Sequence, residues 1–421
     1  MLSDAELLLG LARHLSAYEV SPAHAALDSL QFAGQVYELA WRLRNSQVSR
    51  TGRIEAIAIE ARIGRRQLHR EVLPTMEQMG WIGLVRDRDD QLVSVEALIP
   101  PNEVLIADAA RLLDTLLVSA IQRAALEIIR ATSRQPLPVE SAIEAASQWG
   151  EEAAAEALRH LEAVNLVRRV EREVDRPVVF NPNIWTNDQQ AAAAALRAQD
   201  ARAGTEVGAL LEEVVAAPGI PEKHVRSVEQ RWIDFAVSQG LVERSVVQTS
   251  DGSEEGFLFS PHLKRDPFGT SPADPSGHVR QLVGSMIYAS TFASWRLRSP
   301  GAFLYTLIRD GEAGNVSNIG TDYPMLETAG TIQVVPGRTS STFRMILLQS
   351  DIAESALSII DSRGSSRGDA GSLQSLGDQR RYSHIERERA RMAAAAATGD
   401  SEEARLIAAL RDVTAGGAFG V

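Results

Sequence analysis

The run Arg65-Arg66-Gln67-Leu68-His69-Arg70 concentrates side chains suited to reading the edge of a nucleic-acid base. An arginine fork matches guanine and a glutamine amide matches adenine, each through two hydrogen bonds, and arginine also pairs with phosphate. Arg62 stands just before the run, Arg50 and Arg53 lie further upstream, and Arg86 and Arg88 follow it. Leu68, Val72, Met76 and Met79 recur at helical spacing, so a helix carrying them turns Arg66, Gln67 and Arg70 away from its apolar side. Two plainer readings compete: an arginine-rich solvated face and a face that binds protein. Only Lys223 and Lys264 are lysine among 43 basic residues. That bias, with the alanine runs 191–195 and 393–397, reads as a GC-rich genome. Arginine abundance therefore carries no weight by itself; the clustering does.

No other constellation offers chemistry. The chain contains no Walker loop, no GxGxxG after a strand, no HExxH and no GxSxG elbow. The absence of cysteine removes disulfides, thiolate zinc sites, iron–sulfur clusters and cysteine nucleophiles together. Of the eight histidines, His262 and His278, with Asp266, come nearest to a cluster, and they read as surface polar residues on a hairpin end and a linker. Carboxylate pairs such as Glu151-Glu152 fall near helix starts, where they complement the helix dipole. The expectation is a protein that is not an enzyme and uses no metal or cofactor. A net charge of −12 argues against a protein that coats nucleic acid. No run of about 18 uncharged apolar residues exists, and the acidic start lacks the basic region of a secretory signal, so a cytoplasmic location is expected.

The elements that would position the arginine cluster recur along the 421 residues, a length that suggests about three domains. The repeating pattern is an amphipathic helix, a break, a second helix closed by Gly or Asn, then an alternating strand pair. The second helices are expected at Arg65–Met79, Glu151–Val164, Glu222–Gln239 and, more weakly, Thr321–Ala329. Gly80, Asn165, Gly240 and Gly330 follow, residues that tolerate the left-handed backbone that ends a helix. Hairpin turns are expected at Asp89-Asp90, Asp175-Arg176, Asp251-Gly252 and Pro336-Gly337. Gly64 marks the turn between the first two helices of the first copy, and Pro74 should bend the second. The apolar stripes in the next copies are Ala154, Ala157, Leu158, Leu161 and Val164, then Val225, Val228, Trp232 and Phe235.

Helix, turn, helix and a two-stranded wing resembles the winged helix-turn-helix superfamily, in about four copies. The resemblance implies a mainly α fold with small β wings. The chain then divides into a helical docking or dimerisation element at 1–29 (stripe Leu7, Leu8, Leu11, Leu15), winged helices at 30–100, 101–186, 187–265 and 278–361, a linker at 266–277, a disordered hinge at 362–383 and a helical tail at 384–421. It also implies that the N-terminal half of the second helix enters a major groove while the wing touches phosphate or the minor groove. Double-stranded DNA is thus the expected partner of the first copy, through Arg53, Arg62, Arg65, Arg66, Gln67, His69, Arg70, Arg86 and Arg88. The second and third copies are acidic, and Glu151, Glu152 and Glu156 would repel phosphate. These copies, the fourth, and the terminal helices are expected to bind a partner protein or a second copy of the chain. The leading expectation is a DNA-binding protein or DNA-engaging subunit of a bacterial assembly, in a transcription, plasmid or phage-defence setting. The alternative is an adaptor or scaffold whose winged helices dock proteins.

Overall fold

The computed structural model of the chain describes residues 3–16, 21–46, 48–133, 137–170, 177–181, 201–238, 241–260, 277–293, 296–363 and 379–396. The fold is mainly α with small antiparallel sheets. Helix α1 (Asp4–Leu15) begins at a reciprocal cap, in which the Ser3 hydroxyl accepts from the Glu6 N–H and the Glu6 carboxylate accepts from the Ser3 N–H. Its Leu7, Leu8, Leu11 and Leu15 pack on helix α2 (Asp28–Leu43) and are buried. A Cβ at Gly34 would overlap the Leu8 carbonyl oxygen, so only glycine permits this spacing. The N-terminal stripe expected to serve docking or dimerisation is therefore covered by the chain's own α2.

Four units share one order. The first continues from α2 through β1 (Val48–Arg50) and α3 (Thr51–Glu60). Helix α4 follows in three turns (Arg65–Gln67, Leu68–Val72, Leu73–Gln78), then β2 (Ile82–Arg86) and β3 (Leu92–Ala97). The second runs α5 (Ala120–Thr132), β4 (Leu137–Pro138), α6 (Val139–Ala145), α7 (Glu151–Ala163), β5 (Arg168–Val170) and β6 (Val178–Phe180). The third has α8 (Ala201–Ala216), β7 (Ile220–Pro221), a single 3₁₀ turn (Glu222–His224), α9 (Gln230–Ser238), β8 (Glu243–Thr249) and β9 (Glu254–Phe259). After α10 (His278–Thr291), the fourth has α11 (Pro300–Asp310), β10 (Glu312–Val316), α12 (Ile319–Asp322), α13 (Pro324–Thr328), β11 (Ile332–Pro336) and β12 (Phe343–Leu347). In every unit the short first strand pairs with the third, giving the orders β1-β3-β2, β4-β6-β5, β7-β9-β8 and β10-β12-β11. Those first strands hold two to five residues, too few to show a period-two pattern in the sequence.

The expected helix closures hold at Gly80 (φ 73°), Asn165 (φ 53°) and Gly330 (φ 74°), while Gly240 lies outside the described residues. Gly64 (φ −68°) lies in the turn between α3 and α4, as expected, and the left-handed residue of that turn is Arg62 (φ 60°). The Ile63 N–H reaches back to the Ala58 carbonyl at 2.8 Å, which closes α3. Pro74 produces a widened turn: the Leu73 N–H bonds the Leu68 carbonyl, so the helix passes the missing donor with a π-type turn. Finally, the second helix of the third unit is only Gln230–Ser238, and that of the fourth divides before Pro324.

The first two units share one continuous apolar core with α1, running from Ala5 to Val179. The fourth unit shares another with α10, α14 (Ser350–Ser362) and residues of β8 and β9. Residues 379–383, assigned from sequence to the hinge, instead form β13 (Gln379–Ser383) on the free edge of β8. Helix α15 (Ile385–Ala396) then packs on α1, α9 and β8. Ser362, also assigned to the hinge, ends α14, while the rest of the expected hinge at 364–378 and the tail beyond 396 lie outside the described residues, as do Asp175-Arg176, His262 and Asp266. His278, read as a surface residue, is fully buried at the start of α10. No helix among the described residues is long and apolar enough to cross a membrane.

Candidate nucleic-acid interface

Helix α4 stands on α2 and α3 because Leu68, Val72, Leu73 and Met76 are buried there, which leaves the opposite face to water. Arg66 and Arg70 fall one turn apart on that face. Both are exposed, and neither has an ion pair or side-chain hydrogen bond among the described residues. Arg65 is 78% exposed, with Nε donating to Glu55 Oε1 at 2.8 Å; His69 Nε2 meets the same oxygen at 2.8 Å. The hydrogen bond with His69, joined by Arg65, holds the Glu55 carboxyl below its ordinary value. Glu55 thus ties one edge of α4 to α3 and leaves the Arg66–Arg70 edge open.

Other residues of the sequence-derived cluster face elsewhere. Gln67 donates to Gln35 Oε1 at 3.0 Å, and Gln35 in turn donates to the Arg62 carbonyl at 3.1 Å, so Gln67 points toward α2. Arg62 is exposed but lies beside α15, where it lines a cleft with Arg387. Arg53 is half-buried where α3 meets α13, and its charge acts on Glu327, whose carboxyl is raised by burial. Arg86 donates to the Asp90 carbonyl at 3.1 Å within the hairpin turn, with Asp90 Oδ1 at 3.7 Å. Arg88 is exposed at the tip among Asp87, Asp89 and Asp90. Arg50, exposed on β1, joins the open cations. Of the nine residues singled out from sequence, Arg66, Arg70 and Arg88 are exposed without an ion pair among the described residues, while Arg65 is exposed but paired with Glu55. Glu55 and Gln35, which orient the cluster, were not legible because a single acid or amide on a neighbouring helix carries no local pattern.

The corresponding helices of the other units are differently occupied. α7 exposes Glu151, Glu152 and Arg159. α9 is covered by α15, and Trp232, Ile233 and Phe235 are buried. α13 packs against α3, and Arg42 of α2 donates Nη1 to the Thr328 carbonyl at 3.0 Å. No group of acids and histidines that could hold a metal occurs among the described residues. No protein-family model matches the chain, and no curated protein matches its sequence.

Proposed function

We propose that the four units are winged helices and that the chain is a non-enzymatic DNA-binding protein, or the DNA-engaging subunit of a larger assembly, meeting duplex through its first unit. The observation that carries this reading is the open pair Arg66 and Arg70 on the N-terminal half of α4, each without a carboxylate partner among the described residues. The shared strand order supports the winged-helix assignment, since the first strand lies beside the third in all four sheets. A helix with this face toward a major groove presents arginine forks to guanine and phosphate. Arg50 and Arg88 flank it.

A second reading, an adaptor or scaffold that docks proteins, is favoured by one specific observation. The second helices of the third and fourth units already engage protein, α9 through α15 and α13 through α3. Fluorescence anisotropy on a labelled duplex separates the two. Neutralising about 4–6 phosphates gives a log–log salt slope of roughly −4 to −5. Arg66→Ala with Arg70→Ala should cost at least about tenfold in affinity. No binding to any duplex at about 50 mM salt removes the DNA reading and leaves the adaptor.

A further inference from the structure

We propose that the cleft between the α3–α4 turn, the β8–β9 hairpin and the β13–α15 segment binds the phosphate group of a small phosphorylated molecule, held by Arg62 and Arg387. The cleft has a volume of about 270 Å³, close to the lower end of small-molecule sites and far too small to admit a duplex. Four guanidiniums line it, from Arg62, Arg381, Arg387 and Arg391. Two are neutralised: Arg391 by Glu388 at 2.8 Å and Glu254 at 4.0 Å, and Arg381 by Glu60 at 4.0 Å. Glu388 also takes Arg244 at 2.9 Å, so its charge is already shared. Arg62 and Arg387 have no carboxylate within ion-pair distance among the described residues, and they act on each other as like charges.

Further features fix the geometry and charge of the cleft. Arg62 adopts the left-handed region (φ 60°), an uncommon conformation for a side chain this large, and the Gln67–Gln35 relay fixes its backbone. Ser383 and Tyr382 of β13 complete the cleft wall. Burial and the charge of Arg62, with Arg391, hold the proton affinity of Arg387 below that of an ordinary arginine, although Glu388 and Glu254 act in the opposite sense. Two guanidinium forks without an ion pair match a tetrahedral dianion, which accepts bidentate hydrogen bonds on more than one edge.

This site is independent of duplex contact through Arg66 and Arg70. Calorimetric titration of the full chain with inorganic phosphate and pyrophosphate, at ionic strength matched with chloride, tests it. Phosphate binding should weaken at least tenfold in Arg62→Gln and in Arg387→Gln. Both variants should melt no lower than the parent in phosphate-free buffer, because each removes one of two repelling charges. Arg66→Ala with Arg70→Ala should leave phosphate binding unchanged. Heat no greater than the chloride control, or unchanged binding in both cleft variants, overturns the site. Should Arg387→Gln cost duplex affinity as heavily as it costs phosphate, the cleft serves a phosphodiester backbone and the small-molecule assignment fails.

Discussion

Arg13 of α1 and Glu38 of α2 form an ion pair inside the protein, with Arg13 Nε donating to Glu38 Oε2 at 2.9 Å and side-chain exposures of 8% and 7%. The other carboxylate oxygen accepts from Arg42 Nε at 2.8 Å, and His384 lies 3.7 Å away. Burial alone would raise the Glu38 carboxyl, but Arg13 and Arg42 outweigh it and hold the group well below the carboxylate range. One acid thereby joins the N-terminal helix, the first unit and the start of α15.

Glu38→Gln leaves two buried guanidiniums facing a neutral amide. Breaking a buried pair by removing one partner costs about 3–5 kcal/mol. Urea denaturation should show a loss of that order with the cooperative transition retained. A loss below about 1 kcal/mol, the range of a solvent-exposed pair, would show that the network adds little.

Acid should weaken the same junction. Burial, and next Arg42, push His278 down to about 3, while burial and Arg13 hold His384 well below its ordinary value near 6.5. Both rings stay neutral when folded and take up protons when unfolded. Their contribution is therefore complete above pH about 6.5 and falls as pH drops toward about 3. Each ring can contribute a slope of up to about 1.4 kcal/mol per pH unit in that window. Glu38 adds the same sign below its unfolded value near 4.5. Urea midpoints between pH 7.5 and 4.5 should fall steeply in the parent and less in a His278→Gln, His384→Gln double variant. Parallel curves for the two proteins would sink this account.

The α3–α4 turn offers a test of sign. Gly64 caps α4 with an extended backbone (φ −68°, ψ 148°) and open space around its Cβ position. Gly64→Ser should stabilise by about 0.5–1 kcal/mol through a new cap and a less flexible unfolded chain. Arg62→Gly should relieve the left-handed backbone by about 1 kcal/mol. If thermal melts instead show Gly64→Ser destabilising and Arg62→Gly neutral, the left-handed position has been assigned to the wrong residue.

Gly330 and Gly80 close equivalent helices at φ 74° and 73°, yet their surroundings differ. A Cβ at Gly80 meets nothing within 4 Å, whereas one at Gly330 would overlap the Arg42 carbonyl oxygen. Both alanine variants carry the left-handed penalty of about 1 kcal/mol. Gly330→Ala should cost roughly a further 1–3 kcal/mol by forcing the fourth unit off the end of α2. Hydrogen exchange should rise at 41–45 and 328–331 in Gly330→Ala alone; equal exchange in the two variants would show the contact to be slack.

What the sequence determined by itself is the local grammar. The stripe Leu68, Val72, Met76 and Met79 is buried as its spacing requires, Gly80, Asn165 and Gly330 close their helices, and the wings turn at Asp90 and Gly252. These follow from side-chain periodicity and backbone sterics, which act over a few residues. Tertiary structure decided the rest. It placed the first strand of each unit, because two to five residues become a strand only when a hairpin supplies the partner. It also divided the arginines: Arg66 and Arg70 remain open, Gln67 and His69 are drawn to Gln35 and Glu55, and Arg62 faces Arg387. His278 reads as a surface polar residue and His384 carries no signal of its own until α10 and the β13–α15 segment bring charged neighbours, Glu38 among them, around both rings. Hydrogen bonds and ion pairs between residues on different elements, such as His69 and Glu55, 14 positions apart, leave no periodic trace in the chain, so only the packed structure reveals which charges are neutralised and which are left for a ligand.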